Sequence, residues 1–144
     1  MKRHPDLQPL SREHHLALAE ARGIRWALSG REGTPRLARA SMLASWRSLI
    51  ADHFLAEEQW ILPLVPRRED ADRLREEHAH LRALVERLAL GGADAEPDRE
   101  LLGNLADALE AHIRWEERQL FPAIEEGAPP DALAEAGRAL ARPD

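Results

Sequence analysis

Two copies of the pattern His-x-x-x-Glu are the parts of this 144-residue sequence best suited to chemistry. They are His53 with Glu57 and His112 with Glu116. On an α-helix, residues i and i+4 project from the same face one turn apart, so each pair would present an imidazole beside a carboxylate. Both groups bind metal ions, which makes each pair a candidate half of a metal site.

Two further histidines fall where the apolar periodicity predicts core side chains. His78 lies in the same series as Leu74 and Leu81, and His14 continues a stripe that includes Leu10. His15 is the alternative in the first helix, because the first turn of a helix that begins near Ser11 is loosely determined. The periodicity favours His14.

Inward-facing carboxylates at positions 57 and 116 would need a partner. Two carboxylates that face each other in an apolar core are costly unless they are protonated, paired or bound to a cation. No Lys or Arg falls on the inner stripes at these levels of the predicted helices. A metal ion is therefore the simplest partner.

The donor set also indicates which metal is bound. Four imidazoles and two carboxylates are too many for one tetrahedral zinc ion, and a chain without cysteine has no thiolate site. Two octahedral ions that share both carboxylates would use all six donors and leave positions open, which suits iron. Because two ferrous ions bring more positive charge than two glutamates neutralise, a hydroxide, oxide or peroxide bridge would move the site towards neutrality.

The elements that must position these residues are predicted to be helices. Leu, Ala, Arg and Glu dominate the composition and Tyr is absent, which is typical of helical proteins. Capping residues, prolines and glycine breaks predict four long helices and a short fifth helix or tail, at about residues 11–29, 34–66, 70–90, 97–127 and 131–141. The short connections predict an all-α, up-down-up-down four-helix bundle. We expect one domain over residues 1–128, with residues 129–144 as the C-terminal helix or tail.

The chain also contains an internal repeat. Residues 53–63 match residues 112–122, and residues 10–14 match residues 74–78 less strongly. A duplicated helical hairpin would give the bundle a pseudo-two-fold axis, and a site on that axis would draw equivalent ligands from both halves. Glu58 and Glu117, one position beyond the inward glutamates, are predicted to be solvated or salt-bridged surface groups.

Charge and hydropathy limit the possible partners and the location. The net charge of −6 argues against a nucleic-acid partner, because phosphate binding needs a concentrated basic surface. The start, MKRHPDLQPL, has no apolar core of a signal peptide, and no stretch approaches the length of a membrane span. We expect a soluble, cytoplasmic protein.

These motifs resemble those of the haemerythrin-like domains, also called the HHE cation-binding domain family, over residues 7–126. The resemblance implies a non-haem di-iron centre with Glu57 and Glu116 as bridges. It implies that His14 and His53 serve one iron and that His78 and His112 serve the other.

Position 82 departs from the oxygen carriers of this family. The resemblance places a fifth histidine of those carriers at this position, where this chain has Arg82. The chain is more similar to four-histidine bacterial and sensor-type members. The resemblance implies binding or sensing of a small ligand: O₂, nitric oxide or a reactive oxygen species.

Two alternative functions remain open at the level of sequence. One is a stress-defence enzyme that reduces peroxide or nitric oxide or donates iron for repair, and the other is a structural zinc or manganese bundle. Turnover needs a route for electrons or protons, and the sequence offers neither cysteine nor tyrosine near the site. Binding is therefore favoured over turnover, with a separate reductase or signalling protein as the expected partner.

Overall fold

The computed structural model describes residues 2–92 and 94–141 and consists of helices joined by short turns. Three helices are uninterrupted: α1 (Gln8–Leu28), α3 (Arg68–Ala89) and α5 (Pro130–Leu140). Helix α2 spans residues 35–64 and helix α4 spans residues 99–127, and both contain π-helical turns. The described residues contain no strand. The all-helical prediction is therefore confirmed, and the described residues form five helices, the last of which is the short C-terminal one.

Local sequence explains most helix boundaries. Thr34 and Asp98 cap α2 and α4, because their side chains accept hydrogen bonds from the backbone N–H groups of Leu37 and Leu101. Helix α1 begins at Gln8 rather than at Ser11, because Pro9 is tolerated in a first turn, where its missing N–H costs nothing.

The start of α3 differs by two residues from the one predicted near residue 70. Helix α3 begins at Arg68, and Asp70 lies within its first turn. An acidic side chain in that turn still interacts favourably with the positive end of the helix dipole.

Cross-helix contacts show that neighbouring long helices run antiparallel. Near one end of α1, Ser11 donates a hydrogen bond to Glu117 of α4 at 2.7 Å, whereas near the other end Arg25 contacts Asp107 at 2.9 Å. The other neighbouring helices also run antiparallel. The pairs Glu20–Ser41 and Glu13–His53 show this for α1 and α2, and the pairs Arg39–Leu88 and Arg82–Glu58 show it for α2 and α3. The pairs Arg73–Trp115 and Glu77–His112 show it for α3 and α4.

The π-helical turns recur at equivalent places in the two halves. One turn spans Glu57–Ile61 in α2 and another spans Glu116–Leu120 in α4, so each begins at a glutamate of the His-x-x-x-Glu pattern. A third turn spans Trp46–Ile50. Such turns are frequent at functional sites because they rotate the side chains that follow them.

Two buried apolar clusters lie on either side of the inward histidines and glutamates. One cluster includes Ile24, Met42, Leu88 and Leu105, and the other includes Leu7, Ile61, Leu74 and Leu120. Along each long helix, the polar side chains fall where one cluster ends and the other begins. The helices thus hold them in the middle of the bundle.

Helix α5 closes the end of the second cluster. Its residue Leu133 is buried there, and the helix packs against the 3-10 turn Pro5–Leu7. A side chain at Gly137 would clash with Asp6, so the glycine allows this close approach. Among the described residues, none of the helices combines the length and the apolar character that crossing a membrane requires.

Candidate metal centre

All six predicted donors meet in the interior of the bundle. Their relative exposures range from 0 to 6%, and they form two overlapping groups whose donor atoms lie within 4.8 Å of one another. The first group is His14, His53, Glu57 and Glu116, and the second is Glu57, His78, His112 and Glu116. Both glutamates belong to both groups.

The two glutamates lie between the two histidine pairs. Glu57 directs Oε2 towards His53 Nε2 at 3.3 Å and Oε1 towards His78 Nε2 at 3.0 Å. Glu116 Oε1 lies 2.9 Å from His14 Nε2 and 3.5 Å from His112 Nε2. Each carboxylate therefore reaches one imidazole of each histidine pair.

Several of these buried atoms have no hydrogen-bond partner among the described residues. They are the Nε2 atoms of His14, His53 and His112, one oxygen of Glu57 and both oxygens of Glu116. A buried acceptor without a donor costs about 1–3 kcal/mol, and more where the group is charged. Cations bound between the carboxylates and the imidazoles would satisfy all of these atoms, so the donor set fits metal ions.

Each of the four histidines has a second carboxylate on its other ring nitrogen. The Nδ1 atoms lie 2.6–2.8 Å from carboxylate oxygens in the pairs His14–Glu117, His53–Glu13, His78–Glu58 and His112–Glu77. An ionised carboxylate only accepts hydrogen bonds, so Nδ1 carries the proton and donates it. The inward-facing atom is therefore Nε2, whose lone pair is free to bind a metal ion once that nitrogen is unprotonated, the arrangement typical of metal-binding histidines.

These four glutamates form a closed ring around the bundle. Each glutamate contacts a histidine of a neighbouring helix. Glu13 of α1 contacts His53 of α2, Glu58 of α2 contacts His78 of α3, Glu77 of α3 contacts His112 of α4, and Glu117 of α4 contacts His14 of α1. Glu58 and Glu117 form salt bridges with Arg82 and Arg3, as predicted, but each also lies half-buried against a histidine of the neighbouring helix, which was not predicted. The roles of Glu13 and Glu77 were missed, although the repeated Glu-His dipeptide was a signal for both.

In the metal-free protein, three of the four buried histidines bind protons more tightly than a free imidazole does. Burial lowers the pKa of His53, but the charge of Glu57 and the hydrogen bond to Glu13 outweigh it and raise that pKa to about 9. Similar causes raise the pKa values of His14 and His112. A bound metal ion would take the place of these protons, so metal binding should release protons.

The pKa values of the two central carboxyl groups, Glu57 and Glu116, are shifted in opposite directions. Burial would raise the pKa of Glu57, yet the charge of His53 and the hydrogen bonds around it hold that pKa well below its ordinary value. Burial and the negative charge of Glu57 raise the pKa of Glu116. This is the expected behaviour of two carboxylates that share one buried site.

Aromatic rings and an arginine cover the His78 side of the cluster. The ring of Phe54 stacks on His78 with centroids 4.0 Å apart. Arg82, at the position where oxygen carriers have a fifth histidine, pairs with Glu58 at 2.8 Å and lies over the Phe54 ring. On the other side, Phe121 stacks on His14 at 5.5 Å.

A small cavity adjoins the His14 and His53 pair. The volume of this cavity is about 10 Å³, close to the least that one water molecule requires. Besides the two histidines and Glu13, the lining is apolar: Ala17, Leu49, Ile50, Phe54, Leu109 and Ile113.

The remaining histidines lie outside the cluster. His15 is exposed on α1, so His14 rather than His15 is the residue brought to the other donors. His80 is exposed on α3, as its position off the apolar stripe predicted. His4 caps the 3-10 turn before α1 by accepting a hydrogen bond from the backbone N–H of Asp6.

Comparison with known proteins gives one match. The family model of the Hemerythrin HHE cation binding domain matches residues 69–141, more than half of the chain. No curated protein and no solved structure matches the chain. The matched part includes His78, His112 and Glu116, and the other three donors occupy the equivalent places of the internal repeat. The chain therefore belongs to the hemerythrin HHE cation-binding domain family.

Proposed function

We propose that this protein is a non-haem di-iron protein that binds or senses a small ligand: O₂, nitric oxide or a reactive oxygen species. The observation that carries the proposal is the pair of overlapping buried donor groups that share Glu57 and Glu116. His14 and His53 would hold one ion and His78 and His112 the other. Iron bound there would supply open coordination positions and a redox-active centre.

The number of donors supports two ions and open positions. Each group contains two imidazoles and the two shared carboxylates, which gives four donors for each ion. An octahedral ion would therefore keep positions free for an external ligand. The charge of the two carboxylates is too small to neutralise two divalent ions, which favours an anionic or readily polarised ligand between them.

The protein's own residues give the two sides of the centre different surroundings. Leu49, Ile50, Leu109 and Ile113 give the small cavity beside His14 and His53 an apolar lining. The Phe54 ring lines this cavity as well and stacks on His78, whereas neither His78 nor His112 lines it. We therefore propose that the small ligand binds on the His14–His53 side.

Binding is preferred to turnover because of what surrounds the cluster. The sequence contains no cysteine and no tyrosine, the residue types that would carry electrons or protons to a catalytic centre. A stress-defence enzyme supplied by an external reductase is the alternative that a turnover assay would test. A structural zinc or manganese site is the alternative that metal analysis would test. The cytoplasmic location and a reductase or signalling partner remain predictions.

The experiment is metal analysis and an optical spectrum of the aerobically purified protein and of two variants. We expect two irons per chain and near-ultraviolet charge-transfer bands in the wild type. His14→Ala should lose iron, whereas His15→Ala, which removes the exposed neighbour, should keep it. One zinc ion per chain with no visible absorption would refute the proposal, and equal iron loss in both variants would refute the assignment of His14.

A further inference from the structure

The four carboxylates of the ring are not equally braced. Arginines pair with three of them: Arg3 with Glu117 at 3.2 Å, Arg82 with Glu58 at 2.8 Å, and Arg73 with Glu77 at 2.7 Å.

Glu13 differs from the other three carboxylates. Among the described residues it pairs with no arginine or lysine, and its only ion-pair contact is with His53. Its side chain is 38% exposed, whereas those of the other three are 27–28% exposed. The corner formed by Glu13 and His53 is therefore the least secured part of the ring.

This corner also separates two cavities. Glu13 and His53 line the small inner cavity beside the centre, and both also line a surface cleft of about 270 Å³ between α1, α2 and α5. The cleft is bordered by Asp52, Trp60 and Leu140. A single hydrogen bond of 2.8 Å, from His53 Nδ1 to Glu13, thus lies between the cleft and the inner cavity.

Apart from His53, which is a donor of the centre, the charged side chains of the cleft are acidic. Its lining contains the carboxylates of Glu13 and Asp52 and no lysine or arginine. A concave surface with charges of one sign attracts ions of the opposite sign and repels ions of the same sign. Cations would be drawn into this cleft, neutral molecules would be unaffected, and anions would be disfavoured.

We propose that the Glu13–His53 corner is the access route to the centre, and that Glu13 makes this route selective against anions. The inference rests on the proposed function, because it concerns how molecules reach that metal centre. Opening needs only a rotation of the Glu13 side chain away from His53, since no arginine holds the carboxylate in place. His53 can keep its inward position while the route opens.

Substitution of Glu13 by Gln tests the role of its charge. An amide oxygen can still accept the hydrogen bond from His53, so the variant removes the charge and preserves the shape. The matched control is Glu77→Gln, which makes the same change to the equivalent His112 pair at a corner that lines neither cavity. Circular dichroism of the metal-free variants verifies that both fold.

Three probes of different charge are then compared by stopped-flow. In the iron-loaded protein, Glu13→Gln should raise the association rate constant of azide by about tenfold and leave that of nitric oxide within about twofold. In the metal-free protein, uptake of Co²⁺, followed by its visible absorption, should become slower. Glu77→Gln makes the same change to the partner of a donor histidine away from the route, so it should leave the ratio of the azide rate constant to the nitric oxide rate constant within about twofold of the wild type.

A blocking variant tests the route itself. Ala56 lines the outer cleft but not the inner cavity, so Ala56→Phe should slow both azide and nitric oxide without loss of bound iron. Unchanged rates in this variant would overturn the route. Rates that do not follow the sign of the probe's charge, or that change equally in Glu77→Gln, would overturn the selectivity. A wild-type protein that binds neither Co²⁺ nor iron would refute the proposed function and the route with it.

Discussion

Raising the pH should destabilise the metal-free protein, and His53 gives the magnitude. Its pKa is about 9 in the folded protein, against an ordinary value of 6.5. The folded state therefore binds this proton more tightly than the unfolded chain, so protonation stabilises the fold. The contribution is complete below the unfolded pKa and is lost as the pH rises through about 9.

The difference corresponds to about 3 kcal/mol at about 1.4 kcal/mol per pH unit. The raised pKa values of His14 and His112 act in the same direction, and the low pKa of Glu57 does not change the sign in this window, because that group is ionised throughout. Urea unfolding of the metal-free protein should therefore show a free energy of unfolding that falls by at least about 3 kcal/mol between pH 6 and pH 10.

Two controls isolate the buried histidines. The variant His15→Ala, which removes an exposed side chain, should keep the full loss of stability. Zinc-loaded protein should not show the loss, because the metal ion replaces the protons on the imidazoles. If the metal-free protein were equally stable or more stable at the higher pH, the conclusion that its buried histidines hold protons tightly would be refuted.

Three further predictions concern the centre and its surroundings. Glu57→Ala and Glu116→Ala should each reduce the content of both irons by more than half by metal analysis, since each carboxylate serves both groups; loss of a single iron would contradict the shared role. Ala17→Leu should fill the inner cavity and weaken azide binding at least about tenfold in an optical titration while both irons remain; unchanged azide affinity would exclude this cavity as the ligand site. Phe54→Ala, which removes a fully buried ring stacked on His78, should cost about 3–5 kcal/mol in urea unfolding, and a loss below about 1 kcal/mol would show that the ring is not part of the core.

The inward donors could be predicted from sequence because their chemistry and their periodicity coincide. Histidines at core positions of an amphipathic helix must face the interior, and residues four apart share a face. These two rules identified His78 and His112 without knowledge of the packing. They also favoured His14 over His15, which the structure places on the exposed face.

The outer carboxylates could not be predicted in the same way. Glu58 and Glu117 follow the inward glutamates by one residue, which is about 100° around a helix and normally leads to solvent. Whether that direction meets solvent or a neighbouring histidine depends on how each helix is rotated against the next. The rotation of α3 against α2 likewise determines that Arg82 forms an ion pair with Glu58 instead of facing the centre.

The π-helical turns at both inward glutamates were also not predicted. The α-helical and π-helical hydrogen-bond patterns differ by a single residue, and no residue type specifies the second pattern strongly. The turns begin at Glu57 and Glu116, so the repeat that was read from side chains extends to the backbone.

X-ray absorption at the iron edge of the purified protein tests the central claim most directly. A di-iron centre that shares Glu57 and Glu116 predicts two irons per chain, nitrogen and oxygen neighbours only, and an iron–iron scattering contribution below about 4 Å. A single isolated metal ion per chain, or iron without an iron–iron contribution, would contradict the account.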